Sequence, residues 1–308
     1  MNGPIRKRDD NAATLCIGEA IVDLICERPG VSFADADRFT AHLGGVTANT
    51  AVFAARAGAP AAIAGAVGDD RWGRWLRERL GDERVDVSLL RPRAGEPTQL
   101  AFVALDAAGE PEYRLYPSAA SPLAGLTPQL FDDAVANAGA LLINSNTLSE
   151  TVERELTMYA RARALELGRP IIVDCNLRLH RWPGERDAIA AVLECVPGAR
   201  LVRANASEAT AMTGASDPDA AARQLLAFGA QLAVVTLGAD GVLLRGRDGL
   251  HARVAAPAVD VRSVVGAGDA FTGTLLAALG GGDEAVRDAL PAALDAAARA
   301  CERWGACD

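Results

Sequence analysis

Six short apolar runs constrain the fold of this chain more than any other feature: Thr14–Ile17, Ala61–Ala66, Ala140–Ile143, Pro170–Val173, Arg200–Arg203 and Leu232–Thr236. None alternates strictly between apolar and polar residues, which is the pattern of strands covered on both faces. Between them the spacing predicts helices over Thr47–Ala57, Arg71–Leu80, Ser149–Leu167, Glu185–Cys195 and Pro218–Phe228, the last with Asp217 as N-cap and Pro218 at its first position. Strand and helix in alternation imply an α/β fold, a doubly wound and mainly parallel sheet flanked by helices. Such sheets bind ligands at the carboxyl ends of their strands.

Two stretches break the rhythm. Val22–Glu27, and Gln99–Leu105 with Glu112–Tyr116, read as extra strands, and Asp106-Ala107-Ala108-Gly109 is a hairpin signal. They predict a small accessory β-sheet, a lid built from two excursions at approximately 20–43 and 98–120 out of a single domain over 12–306. Residues 1–11 are polar and mixed in charge and are expected to form a flexible tail. The alanine-rich Ala285–Ala300 reads as one closing helix.

Composition narrows the function classes. No apolar run reaches the roughly 18 residues needed to span a bilayer, and the first residues lack the apolar core of a signal peptide, so the expected location is cytoplasmic. A net charge of -9 over 308 residues disfavours nucleic acid as a partner. The six cysteines form neither a C-x-x-C pair nor a metal-ligand spacing and are expected to be reduced thiols. The three histidines are dispersed and sit in no zinc or nucleophile motif.

The chemistry is carried by Val264-Val265-Gly266-Ala267-Gly268-Asp269-Ala270-Phe271, which runs into the apolar-periodic Thr272–Leu279. A Gly-Ala-Gly turn at a helix start leaves backbone N–H groups bare, and the helix dipole adds partial positive charge, so the place suits a phosphate. A carboxylate beside that anion hole, Asp269, can accept a proton from a hydroxyl attacking the phosphate. On these residues alone, a plain helix N-cap aspartate is an equal reading.

Further segments line up with this turn in order: Gly18-Glu19-Ala20-Ile21-Val22-Asp23, Gly44-Gly45-Val46-Thr47-Ala48-Asn49, Gly68-Asp69-Asp70, Asp174-Cys175-Asn176-Leu177-Arg178, Asn205-Ala206-Ser207-Glu208 and Thr236-Leu237-Gly238-Ala239-Asp240-Gly241. Together they resemble the ribokinase/fructokinase (PfkB-type) family of carbohydrate kinases, from about Thr14 to about Ala306. The resemblance implies a ribokinase-like fold and an ATP-dependent, Mg²⁺-requiring sugar kinase, with fructose the first substrate and 2-keto-3-deoxygluconate, ribose or a nucleoside as alternatives.

It also implies roles. Asp269 would be the general base, with Gly266, Ala267 and Gly268 stabilising charge on the transferred group. Asp23 and Asn49 would bind sugar hydroxyls, and Gly44 and Gly45 would let the backbone approach the sugar. Asp174, Asn176 and Arg178 would lie near the phosphates or the phosphorylated end of the sugar. Asn205 and Glu208 would act on the magnesium–phosphate side, Glu208 through water, although alone they also read as a helix cap and its partner carboxylate. Thr236, Gly238 and Gly241 would line the nucleotide pocket.

The chain departs from the family in two places. Ser263, Val264 and Val265 stand where many members carry an aspartate that helps bind a monovalent cation, which puts K⁺ activation in doubt. In the lid, Leu115 stands where fructokinases often have arginine and Ala120 where aspartate is usual; Leu115 also counts against a 2-keto-3-deoxygluconate kinase, which would want an arginine for the sugar-acid carboxylate, with Arg114 adjacent as a substitute. Apolar residues on the lid strands, Val22, Leu24, Phe102 and Val103, are expected to be exposed and to be covered by a second copy, giving a homodimer. The rival readings are a binding protein on the same fold without turnover, and a dinucleotide-binding dehydrogenase. The second is disfavoured because no G-x-G-x-x-G turn follows the first strand.

Overall fold

In the computed structural model, which describes residues 12–107, 109–117 and 121–308, the chain forms thirteen strands and ten α-helices. The strands are β1 (Thr14–Ile17), β2 (Ile21–Ile25), β3 (Thr40–Gly44), β4 (Ala61–Gly68), β5 (Asp86–Arg93), β6 (Leu100–Leu105), β7 (Pro111–Tyr116), β8 (Ala140–Asn144), β9 (Ile171–Asp174), β10 (Leu201–Asn205), β11 (Leu232–Thr236), β12 (Val242–Gly246) and β13 (His251–Val254). The helices are α1 (Val46–Arg56), α2 (Arg71–Asp82), α3 (Pro128–Asn137), α4 (Thr151–Glu166), α5 (Glu185–Leu193), α6 (Ala206–Thr213), α7 (Pro218–Ala227), α8 (Ala267–Leu276), α9 (Gly282–Asp288) and α10 (Leu290–Cys301). The expected tail 1–11, Ala108 of the hairpin turn and Ser118–Ala120 of the lid lie outside the described residues.

The large sheet has the order β13-β12-β11-β10-β9-β8-β1-β4-β5, parallel from β11 to β5, with β12 and β13 added antiparallel at one edge. Successive residues of its central strands feed two separate cores. Leu15, Ile17, Ile171, Val173, Ala233 and Val235 pack against the layer of α3 to α7, and Cys16, Ile172, Leu232 and Val234 against α1, α2 and α8 to α10. Burial on both faces is why these strands carry no polar alternation. All six predicted central strands are present to within a residue or two, and Asp217 caps α7 with Pro218 behind it.

Of the strands that sequence reading passed over, β3, β5 and β13 lie at edges, whereas β12 lies buried between β11 and β13. β5 exposes charged residues and contains Pro92, and β13 alternates half-buried with exposed positions. Neither presents an apolar run. The closing helix is two helices: the chain breaks between Asp288 and Leu290, with Pro291 in the first turn of α10, where its missing N–H costs nothing. Among the described residues no helix is long and apolar enough to cross a membrane, and all six cysteines are free.

The accessory sheet is four-stranded, β3-β2-β6-β7, with β2 parallel to β6 and antiparallel to β3. It corrects the expectation of an exposed face. Val22 and Val103 are fully buried within one chain, and Leu24 and Phe102 are partly covered. Phe39 and Tyr116 pack edge-on against Phe102, at 5.1 and 5.7 Å between ring centroids, which leaves Tyr116 the most open aromatic there, at 60% exposure.

Candidate active site

The carboxyl ends of the parallel strands, the N-termini of α1 and α8 and the inner face of the small sheet converge on one pocket. Glu19, Ile21, Asp23, Gly45, Asn49, Tyr113, Leu115, Asn146, Arg178, Arg181, Gly266 and Asp269 are among its lining residues. Gly45 precedes α1 and Gly266 precedes α8, each with a positive φ, 95° and 76°, that a side chain would strain. In the first turn of α8 the N–H groups of Gly268 and Asp269 have no partner among the described residues. They are the bare donors expected of an anion hole.

Asp269 is the third residue of α8 and only 8% exposed. Its Oδ2 accepts a hydrogen bond from Asn49 Nδ2 at 2.8 Å. Burial pushes its carboxyl up, the Asn49 bond opposes this, and the charge of Asp174 adds to it; it titrates at about 6. Asp23 lies on β2 in the same pocket, 3% exposed, and burial followed by the Asp269 charge raises it to about 7. Two desolvated carboxyls share one cavity, so the second proton is harder to remove than the first. Arg178 lowers both.

Arg203 lies against the glycine turn at Gly268. It rises from the middle of β10, its Nη1 donates to Asp174 Oδ1 at 3.2 Å and its Nη2 to Thr236 Oγ1 at 2.9 Å. Thr272 Oγ1 donates to the other oxygen of Asp174 at 2.6 Å. A β-carbon on residue 268 would lie 2.9 Å from the guanidinium, so the second glycine of the turn is the one that admits Arg203 against it. Several buried polar atoms along this edge have no partner: Asp23 Oδ1, Asn146 Oδ1, Asn176 Nδ2 and Arg203 Nε. Each such group left alone costs about 1–3 kcal/mol, and two of the four residues, Asp23 and Asn146, line the pocket.

The remaining expected residues divide. Asn176, with φ 36°, sits buried in the loop after β9. Asn205 and Glu208 form a full capping box on α6, and Glu208 Oε1 also accepts from the Leu177 N–H at 2.7 Å. Both oxygens of Glu208 thus serve backbone donors and tie the Asn176 loop to α6. Gly238 opens onto free space after β11, whereas Gly241 is required by the fold, since a β-carbon there would lie 1.9 Å from the Val254 carbonyl oxygen. Gly44 faces Asp23 rather than the cavity. Arg114 is placed elsewhere: strand alternation turns Tyr113 and Leu115 into the pocket and Arg114 to the outer face, where it pairs with Glu112 and covers the Phe33 ring.

Sequence reading missed Arg203, Arg181 and the work of Glu19. A lone arginine inside an otherwise apolar strand was the signal for the first. The three-residue spacing of Arg178 and Arg181, which puts both on one face of a 3₁₀ turn, was the signal for the second. Glu19 accepts from the Val46 N–H at 3.1 Å and from Asn146 Nδ2 at 2.6 Å, capping a helix whose own N-cap residue has no side chain to do so.

The doubly wound sheet and small β-sheet, with Asp269 in the first turn of α8 at the pocket between them, match the architecture of the ribokinase-fold carbohydrate kinases. The model of the pfkB family carbohydrate kinases matches residues 11–308, and the chain belongs to that family, whose members transfer a phosphoryl group to a sugar hydroxyl. It is 32% identical over 281 residues to the probable fructokinase-7 of Arabidopsis thaliana, covering 90% of this chain and 82% of that protein. Fructokinase from Vibrio cholerae O395, solved with fructose, ADP and calcium ion bound, is 29% identical with a TM-score of 0.81 over 97% of this chain and 96% of its own. Aminoimidazole riboside kinase from Salmonella enterica, solved with aminoimidazole riboside and an ATP analog, is 28% identical with a TM-score of 0.81 over 96% and 95%.

Proposed function

We propose that this protein is a cytoplasmic fructokinase that transfers the γ-phosphoryl group of ATP to a primary hydroxyl of fructose. The observation that carries the reading is the placement of Asp269 beside the bare N–H groups of Gly268 and Asp269 and in one pocket with Asp23 and Asn49. In this reading Asp269 takes the proton of the attacking hydroxyl, and at pH near 7 a carboxyl that titrates at about 6 is ionised and still basic enough to do so. The Gly266-Ala267-Gly268 turn and the Arg203 guanidinium beneath it offset the charge gathering on the transferred group. Asp23 and Asn49 orient the sugar, and Arg178 faces the phosphorylated end.

The nucleotide would lie over the ends of β10 and β11, against Thr236 and the open Gly238. Among the described residues no group of three acidic, histidine or cysteine side chains could hold a divalent ion by itself. Mg²⁺, which sheds its hydration reluctantly, would be held by phosphate oxygens and water, with Glu208 reached through water. The bound ATP analog of the Salmonella kinase and the ADP and calcium ion of the Vibrio fructokinase support a nucleotide with a divalent ion. The outer aromatic face of the lid, with Tyr116 exposed, is where a second copy would pair. A coupled ADP-release assay over fructose, ribose, 2-keto-3-deoxygluconate and aminoimidazole riboside tests the reading. Fructose should give the highest kcat/KM, and release with none of them would favour a binding protein.

A further inference from the structure

We infer that Cys307 is a positioning residue for the transfer: its thiol selects the orientation of the Asn49 amide, and the amide in turn holds Asp269 ready to accept a proton. The inference rests on the reading of Asp269 as general base. Cys307 Sγ donates to Asn49 Oδ1 at 3.5 Å, and Asn49 Nδ2 donates to Asp269 Oδ2 at 2.8 Å. The two ends of an amide have nearly the same shape, so only the partners decide which way it points. Were it reversed, Asn49 Oδ1 would face Asp269 Oδ2, an acceptor against an acceptor, and the contact would be favourable only with a proton on Asp269. A protonated Asp269 is no base.

The thiol suits this task. Burial pushes its pKa far above the ordinary value, so it remains S–H and donates. It is also held in place from several sides. A β-carbon on Gly266 would lie 2.1 Å from the Ala306 Cβ, so the chain just before Cys307 packs on the anion-hole turn itself. Arg56 Nη2 donates to the Cys307 carbonyl at 2.7 Å, and Asp308 accepts from His42 Nδ1 at 2.7 Å on strand β3 of the lid. Among the described residues, the charged or titratable groups that act on Asp269 include Asp23 on β2, Tyr113 on β7, Asp174 at the end of β9, Arg178 after it and Arg203 on β10. Asn49 is the side chain that donates to Asp269 Oδ2 among the described residues.

The test is the pH profile of kcat in the full chain, with ATP and the sugar that turns over fastest, for wild type, Cys307→Ala, Cys307→Ser and Asp269→Asn. Cys307→Ala should move the acidic limb up by about one pH unit, a tenfold loss of kcat on that limb, with the KM for ATP unchanged. Cys307→Ser, which keeps a donor, should restore the limb to within about 0.3 unit. Should Cys307→Ala fail to fold by circular dichroism, Cys307→Val fills the space without a donor and carries the same expectation. Failure of both to fold assigns Cys307 a structural role alone and overturns the inference. Asp269→Asn separates the two readings: an inactive Asp269→Asn together with a Cys307→Ala limb that superimposes on wild type overturns only the role of Cys307, whereas an active Asp269→Asn overturns the base.

Discussion

Gly44 and Asp23 approach so closely across the β2–β3 pair that a β-carbon on residue 44 would lie 2.3 Å from the Asp23 carboxyl carbon. The glycine leaves room for the carboxyl, which in the proposed reading holds the sugar. Gly44→Ala must push Asp23 out of place, so kcat/KM for the sugar should fall by at least about tenfold, equal to about 1.4 kcal/mol, with the KM for ATP nearly unchanged. Paired kinetics on both substrates check this. Equal sugar kinetics in a folded variant would show that the lid yields and Asp23 keeps its place.

Asp23 and Asn49 should separate kinetically. Asp23 has one buried oxygen without a partner, so Asp23→Ala should act on the sugar, lowering kcat/KM at least about tenfold with little effect on ATP. Asn49 donates to Asp269, so Asn49→Ala should lower kcat as well. Steady-state kinetics over both substrates distinguish them; a loss confined to KM for Asn49→Ala would remove it from the base's support.

The central sheet was legible because burial on both faces writes an apolar run, as in Ile171-Ile172-Val173 and Leu232-Ala233-Val234-Val235. Edge strands such as β5 and β13 are half solvated and write nothing of the kind. The glycine turn at the start of α8 and the place of Asp269 in its first turn were legible because the turn and its helix are contiguous. The supports of the site were not: Arg203 reaches Asp174 and Thr236 from a third strand, and Asn49 lies 220 residues from Asp269. Nor does sequence alone say which face of β7 turns inward, which is why Arg114, expected at the substrate, lies instead on the outer face with Glu112 and Phe33.

Activity should need a divalent ion and respond little to K⁺. Ser263 is fully buried with its hydroxyl accepting from the Val265 N–H at 3.1 Å, in the segment where many relatives place a carboxylate. Replacing Na⁺ by K⁺ at constant ionic strength should change kcat by less than about twofold, a barrier difference under about 0.5 kcal/mol. Stimulation of tenfold or more would mean that backbone carbonyls suffice for a cation site.

His42, buried between Asp308 and Glu27, sets a pH window for stability. Burial works against its charge, but the hydrogen bonds and charges of Asp308 and Glu27 outweigh this and hold its pKa above the ordinary 6.5. Its contribution is complete below pH 6.5 and is lost as pH rises through the raised value. For Asp308 burial is outweighed by the His42 bond and the Gly305 N–H, so its contribution is complete above 3.8 and is lost as pH falls through the lowered value. Melting temperature against pH, wild type against His42→Gln, should show the largest difference between these limits. A difference that grows above pH 8 would contradict the assignment.

The central claim is that Asp269 takes the proton from the sugar hydroxyl, and Asp269→Asn tests it most directly because the amide keeps the shape and the place beside Asn49. The measurement is kcat together with the equilibrium affinities for ATP and sugar in the folded variant. Turnover should fall by at least about 100-fold, with both affinities within about threefold of wild type. Turnover within a few-fold of wild type, with affinities unchanged, would contradict the account.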